Sequence, residues 1–424
     1  MKTYKYSRTD EKIYYNELEN GFKICVVPNE NKNSFYAVLG VKYGANDISF
    51  KLDNEIIDTN YGIAHFLEHL SFNMEDGEDP FTFFNKSGVN SNASTSFNAT
   101  RYYIWGVEDF KKNLDYLLTF VLSPYFDDES VNRERGIINE EIRMYEDDAN
   151  WHIDDVGRKM VFSQLPAKES IAGTYDSVSK ITPNELYNCY NTFYVSNNMY
   201  LIVSGNVNYE DVMEVVNNNK LVNELKTNNH IERKKYNEKE EVAKEYQELK
   251  MNIVLPKMKY MFKIKRNKFS IKEDVLLNMY LNLLISIIFG STSEFYEKVI
   301  GENIATGYYA DWTLYDSYYL LDFVAETDKA DIFKDMVDEY LENININEED
   351  FRRIKRVWIA SEIKMSDSND MLAENIMEDF IIYNDIYPNR IDLIESMTLK
   401  ELNKVIKELS LENSSFLLIN PKEQ

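Results

Sequence analysis

Three stretches in the first half of this 424-residue chain return in the second half at nearly one offset. Glu141-Ile142-Arg143-Met144 is echoed by Glu362-Ile363-Lys364-Met365. Ile181-Thr182-Pro183-Asn184-Glu185-Leu186 is echoed by Met397-Thr398-Leu399-Lys400-Glu401-Leu402, and the strand-like Tyr200-Leu201-Ile202-Val203 by Phe416-Leu417-Leu418-Ile419. The offsets run from 216 to 221 residues. Self-similarity at a fixed spacing marks a duplicated unit, and it constrains topology more than any local pattern, because both halves must fold alike. Each half reads as strands, then long helices, then a closing strand. The expected fold is therefore α+β, with two similar α+β domains from an internal duplication. A polar, charged run that includes Asn217-Asn218-Asn219-Lys220 and Lys239-Glu240-Glu241 separates them. It sets the expected division: a first domain over 1–215, a charged linker over 216–248 and a second domain over 249–424.

The halves differ in their histidines. Only four occur in the chain, and two fall in one pentad, His65-Phe66-Leu67-Glu68-His69; after His230 there are none. A histidine pair at i and i+4 lies on one face of a helix, with ring nitrogens able to converge on one metal ion. Glu68 projects from the same face, placed to take the proton of an activated water. H-x-x-E-H is the inverted order of the familiar zinc-protease motif. Ile63, Phe66, Leu67 and Leu70 recur at helical spacing and form the buried stripe, and Thr59 and Asn60 are candidate caps.

A catalytic zinc site usually holds three protein ligands. His152 has no motif around it, so a carboxylate is the natural third. In the helical stretch from Arg133 to Met144, Glu134, Ile138, Glu141 and Tyr145 share one face. Glu141 is read as the third ligand, and Glu134 as an acid behind the ligands or facing substrate. An ordinary acidic surface helix is the plain alternative for these residues taken alone.

Composition narrows the function. Net charge is −25, which argues against nucleic-acid or anionic-membrane partners. Two cysteines are too few for a disulfide framework and fit a reducing compartment. The start shows no apolar signal region, and the most apolar stretch, Val275 to Phe289, is short for a bilayer span and reads as a core helix. A cytoplasmic location and no membrane span are expected.

With Gly62-Ile63-Ala64-His65-Phe66-Leu67-Glu68-His69, Gly88-Val89-Asn90-Ser91-Asn92-Ala93-Ser94-Thr95-Ser96 and Glu134 to Asp147 in this order, the chain resembles the pitrilysin/insulinase family of metallopeptidases along its whole length. The resemblance implies one Zn2+ per chain on His65, His69 and Glu141, with Glu68 as base and Glu134 assisting catalysis. It implies two domains facing each other across a substrate cavity, and a substrate-binding edge strand at Asn92 and Ala93, where an extended peptide would add its own strand. Many members carry an arginine and a tyrosine in the metal-free half that contact substrate. Tyr308 or Tyr309 could fill the tyrosine role, but no arginine occurs from Asn267 to Asp350. Lys298 is no geometric replacement for a guanidinium. The pattern resembles bacterial heterodimeric members in which a related subunit supplies the Arg/Tyr pair, some of which trim leader peptides from ribosomally made natural products. A homodimer is the alternative. The expected function is a zinc endopeptidase acting on short or unfolded peptides; the rival is a non-catalytic scaffold or assembly subunit, which the intact pentad and Glu141 disfavour.

Overall fold

The computed structural model describes residues 1–422 apart from 7, 10, 53, 54 and 229. Its contacts divide the chain into two compact units. Six helices carry the argument: α1 (Ile63–Leu70), α2 (Asp128–Asp147), α3 (Ala149–Val161), α4 (Asp274–Ile288), α5 (Glu348–Ser366) and α6 (Asn369–Tyr383).

The first unit comprises Met1–Arg143, Ser170–Lys235 and Glu362–Arg390. Its strands are β1 (Lys2–Lys5), β2 (Lys12–Glu17), β3 (Lys23–Pro28), β4 (Phe35–Val41), β5 (Ser49–Leu52), β6 (Glu55–Asp58), β7 (Asn90–Thr95), β8 (Thr100–Gly106) and β9 (Met199–Gly205). Seven of them form one sheet in the order β1-β2-β3-β9-β4-β8-β7, and β5 and β6 pair separately. Strands β4 and β9 are buried at every position, as near-continuous apolar runs in a sheet covered on both faces should be.

The second unit comprises Met144–Glu169, Tyr236–Ser361 and Ile391–Gln424. Its strands, β10 (Tyr246–Met251), β11 (Lys257–Lys265), β12 (Tyr308–Tyr315), β13 (Tyr318–Glu326) and β14 (Ser414–Pro421), are ordered β10-β14-β11-β13-β12. This order repeats β3-β9-β4-β8-β7 strand for strand. The β3–β9 and β10–β14 pairs are parallel and all the others antiparallel. The duplication therefore extends to topology, with β9 and β14 as the closing strands and the Glu141 and Glu362 helices, α2 and α5, in equivalent places. The apolar stretch after Asp274 forms α4, a core helix, and no described helix is long and apolar enough to cross a membrane.

The expected single cut after 215 needs correction. Helix α3, from the first half of the sequence, belongs to the second unit, and α6, from the second half, to the first. Packing gives the reason. Ile153, Met160 and Val161 of α3 are buried with Met261, Leu320, Leu417 and Ile419. Leu372, Ile376, Met377 and Phe380 of α6 are buried with Val38, Tyr200 and Ile202. Burying such side chains contributes roughly 1.5–3 kcal/mol each.

The 216–248 segment is also more structured than a solvated linker. It holds the end of a helix at Asn218, a helix over Lys220–Glu224 and the start of β10. Arg233 donates to the buried Asp47 at 2.5 Å. The Glu238 carboxylate is buried; it accepts from the amides of Ser163, Gln164 and Leu165 and from the Lys263 ammonium at 2.7 Å. Burial would raise the Glu238 pKa, but Lys263 and these amides hold it down to about 2. A folded pKa below the unfolded value stabilises above the unfolded value, and that stability is lost as pH falls from about 4.5 towards 2. Glu238→Ala should cost about 3–5 kcal/mol, because it leaves a buried ammonium unpaired. Urea titration at neutral pH should show that loss, and the gap between variant and wild type should narrow below pH 4.5.

Candidate metal centre

The pentad lies on α1 as its spacing requires. Ile63, Phe66, Leu67 and Leu70 are fully buried, while His65, Glu68 and His69 occupy the other face. The helix start differs from expectation. Its N-cap is Gly62 at φ +88°, where a Cβ would meet the Ala172 carbonyl oxygen at 2.5 Å, so only glycine fits. Thr59 donates instead to the Ile48 carbonyl, and the Asn60 amide donates to Glu185.

Helix α2 brings Glu134 and Glu141 to this face. Glu141 Oε1 lies 3.7 Å from His65 Nε2, and Oε2 lies 3.6 Å from His69 Nε2. One donor atom from each of the three residues falls within 4.8 Å of the others. Ligands about 2.0–2.2 Å from a tetrahedral zinc sit roughly 3.3–3.5 Å apart, so the observed spacing is close to what one ion needs. Two imidazoles and a carboxylate are also a donor set that suits zinc. Burial, with the neighbouring His69 a smaller cause, pushes the His65 imidazole down to about 3, so it is neutral and able to ligate.

Glu134 stands behind the His65–His69–Glu141 group. Its Oε1 lies 2.8 Å from His69 Nδ1. A carboxylate on Nδ1 fixes the ring and its tautomer and leaves Nε2 for a metal. Burial works against a charged His69, but the bond to Glu134 and the nearby carboxylates raise its pKa. Glu68 is buried, which raises its carboxyl pKa, and its Oε2 accepts from the Thr95 hydroxyl at 2.6 Å. Thr95 was not singled out in the sequence. The alternation of β7 could have found it, since Ser91, Ala93 and Thr95 share one side of a strand.

Asn92 and Ala93 lie on β7, which among the described residues pairs only with β8 and is an edge strand. Tyr308 and Tyr309 point to opposite sides of β12. The Tyr308 hydroxyl donates to the Phe289 carbonyl at 2.5 Å, and its ring packs on Phe295 and Phe333. Tyr309 is 57% exposed. Of the two tyrosines, Tyr308 is committed to the packing of the second unit. Lys298 is held by Glu294 at 3.1 Å and lies over the Tyr340 ring. His152 is on α3 and takes no part in the His65–His69–Glu141 group.

Residues 56–175 match the family model described as insulinase (peptidase family M16), and residues 180–357 match the peptidase M16 inactive domain. The uncharacterised zinc protease YmfH of Bacillus subtilis (strain 168) is 31% identical over 414 residues, 96% of each chain. An M16-like peptidase from Alicyclobacillus acidocaldarius has a crystal structure that superposes with a TM-score of 0.91 at 25% identity, covering 98% of this chain and 100% of that one. A protease from Helicobacter pylori shares the fold, with a TM-score of 0.83 at 20% identity over 97% and 100% of the two chains.

Chelator-stripped protein should take up zinc, measured by atomic absorption after desalting. His65→Ala, His69→Ala and Glu141→Ala should abolish uptake. Glu134→Ala should weaken it by about 10–100-fold through loss of the His69 contact. Full retention in Glu141→Ala would reassign the third ligand.

Proposed function

The chain belongs to the M16 (insulinase) family of peptidases, and on that premise we propose that it is a zinc-dependent endopeptidase cleaving short or unfolded peptides. The observation that carries this reading is the convergence of His65, His69 and Glu141 beside a buried Glu68. Zinc bound there would act as a Lewis acid, polarising the scissile carbonyl and making water a nucleophile near neutral pH. Glu68, fixed by Thr95, accepts the proton of the attacking water and delivers it to the leaving amine as the C–N bond breaks. Glu134 holds the His69 ring in place throughout. The open edge of β7, at Asn92 and Ala93, receives the substrate backbone as an added strand.

The chain is further read as the metal-bearing subunit of a heterodimer, with a related partner supplying an Arg/Tyr pair. Three observations support this. No arginine occurs from Asn267 to Asp350, Lys298 is engaged by Glu294 and Tyr340, and the Tyr308 hydroxyl is engaged by the Phe289 carbonyl. Leader peptides of ribosomally made natural products are the proposed substrate class. Both cysteines are buried thiols, which suits a cytoplasmic location.

Glu68→Gln should retain zinc and lose peptidase activity, since it removes a base and not a ligand. Activity equal to wild type in that variant would overturn the reading. The purified single chain should turn over slowly, and a family partner bearing the Arg/Tyr pair should raise the rate by about 10²–10³, the worth of one contact to a developing oxyanion. Full activity of the lone chain, abolished by Lys298→Ala, would rule out the two-subunit arrangement.

A further inference from the structure

The two faces of β7 and β8 carry different chemistry. Thr100, Tyr102 and Ile104 are buried on the α1 side, where the Tyr102 hydroxyl lies 2.8 Å from Ser71 Oγ. Arg101, Tyr103 and Trp105 alternate to the opposite side, where α6 packs. Their cross-strand partners there are Ser94, Asn92 and Asn90, all short and exposed. A groove of about 740 Å³ opens on this face, between the strands and the first turn of α6 at Asn369, Asp370 and Met371.

Its wall is an aromatic ladder. Tyr36 stacks on Tyr103 at 6.0 Å between ring centroids, and Tyr103 on Trp105 at 6.1 Å. Trp105 is 39% exposed, so its ring is accessible at the open end of the stack. Two of the polar groups beside the ladder are already engaged. Arg101 is paired with Glu374 and Glu378, and the Tyr36 hydroxyl donates to Glu374. Lys32, Asp367 and Asp370 border the groove farther out, and Trp105 presents the exposed ring of the series.

The fold does not demand this lining. The equivalent groove of the second unit, between α3 and the strands β11, β13 and β12, is lined by Lys259, Asp154, Asp311 and Asp322 together with Tyr309 and Tyr315. Lys259 Nζ there lies 2.6 Å from Asp154 and 2.8 Å from Asp322. Both grooves carry charged side chains, and what sets the first apart is the continuous stack of Tyr36, Tyr103 and Trp105.

We propose that the ladder selects bulky apolar side chains at two alternate positions, i and i+2, of a peptide bound along β7. This rests on the reading that substrate adds to that edge, and it names what the edge selects. An added strand lies about 4.8 Å beyond β7, with same-face side chains roughly 6.6–6.8 Å apart. That repeat is close to the 6.1 Å between the Tyr103 and Trp105 rings. The low floor of Asn90, Asn92 and Ser94 lets a large side chain reach across to them. An apolar side chain gains contact with these rings without giving up hydrogen bonds to water of its own.

The test uses the zinc-loaded Glu68→Gln chain, which separates binding from turnover, and fluorescein-labelled ten-residue Ser/Thr peptides carrying two phenylalanines. Spacing i,i+2 lets both reach the groove in any register of matching parity; spacing i,i+1 always sends one to the other face. Anisotropy should show the i,i+2 peptide binding about ten-fold tighter or better, in line with the worth of a filled apolar pocket. Trp105→Ala should erase the difference and Trp105→Phe should retain it. Trp105→Gln gives the same reading should the alanine variant unfold. Equal affinity for the two spacings, a preference indifferent to Trp105, or no peptide binding at all would overturn the proposal. The metallopeptidase reading is judged separately, by hydrolysis with the wild-type chain.

Discussion

Strands β4 and β9 are buried on both faces, and everything in the first unit follows from the need to cover them. One face is covered by helices of the first half, α1 among the elements that pack on β7 and β8. The other face is covered by α6, whose Leu372, Ile376, Met377 and Phe380 come from more than 150 residues beyond the closing strand β9. A sheet with one bare face would expose a large apolar surface to water, which the hydrophobic effect does not allow a stable domain to do. The second unit solves the same problem with α3. Once both faces are covered, β7 is left as an edge, with α1 beside it and the ladder of β8 on its other side.

The metal group depends on this frame at one remove. Helix α1 is held by its buried stripe, and α2 by Val131, Ile138 and Ile142, so the two polar faces meet without any help from the charges on them. The charges then fix detail. Glu134 orients His69 and Thr95 orients Glu68, each through a single hydrogen bond of 2.8 Å or less. In the proposed site, these two bonds would hold a candidate ligand and a candidate base in place before substrate arrives.

Much of this could be read from the sequence, because the signals are local. The pentad and its stripe lie within one helix, Glu134 and Glu141 share a face within another, and the repeat of Tyr200–Val203 at Phe416–Ile419 marks equivalent central strands. What could not be read depends on partners far along the chain. Amphipathic periodicity says that α3 and α6 bury a face, not which sheet they bury it against. The charges at Arg233 and Glu238 look solvated until Asp47, Lys263 and the turn at Ser163 are known to meet them. The start of α1 was misjudged because Gly62 satisfies a backbone angle rather than a hydrogen bond. Alternation tells that Tyr308 and Tyr309 oppose each other on β12, but only the surrounding rings decide which one is enclosed.

The exchange of α3 and α6 sets a timetable for synthesis. The first sheet has its last strand once Gly205 leaves the ribosome, yet the helix that covers its second face ends at Tyr383. At typical elongation rates of 5–20 residues per second, that gap amounts to roughly nine to thirty-six seconds. A sheet that formed in that interval would have one apolar face uncovered, the kind of surface that chaperones bind. The second unit has no such delay, because α3 is made before any of its strands. His65, His69 and Glu141 are thus all synthesised well before α6, the helix that completes the cover of their own sheet.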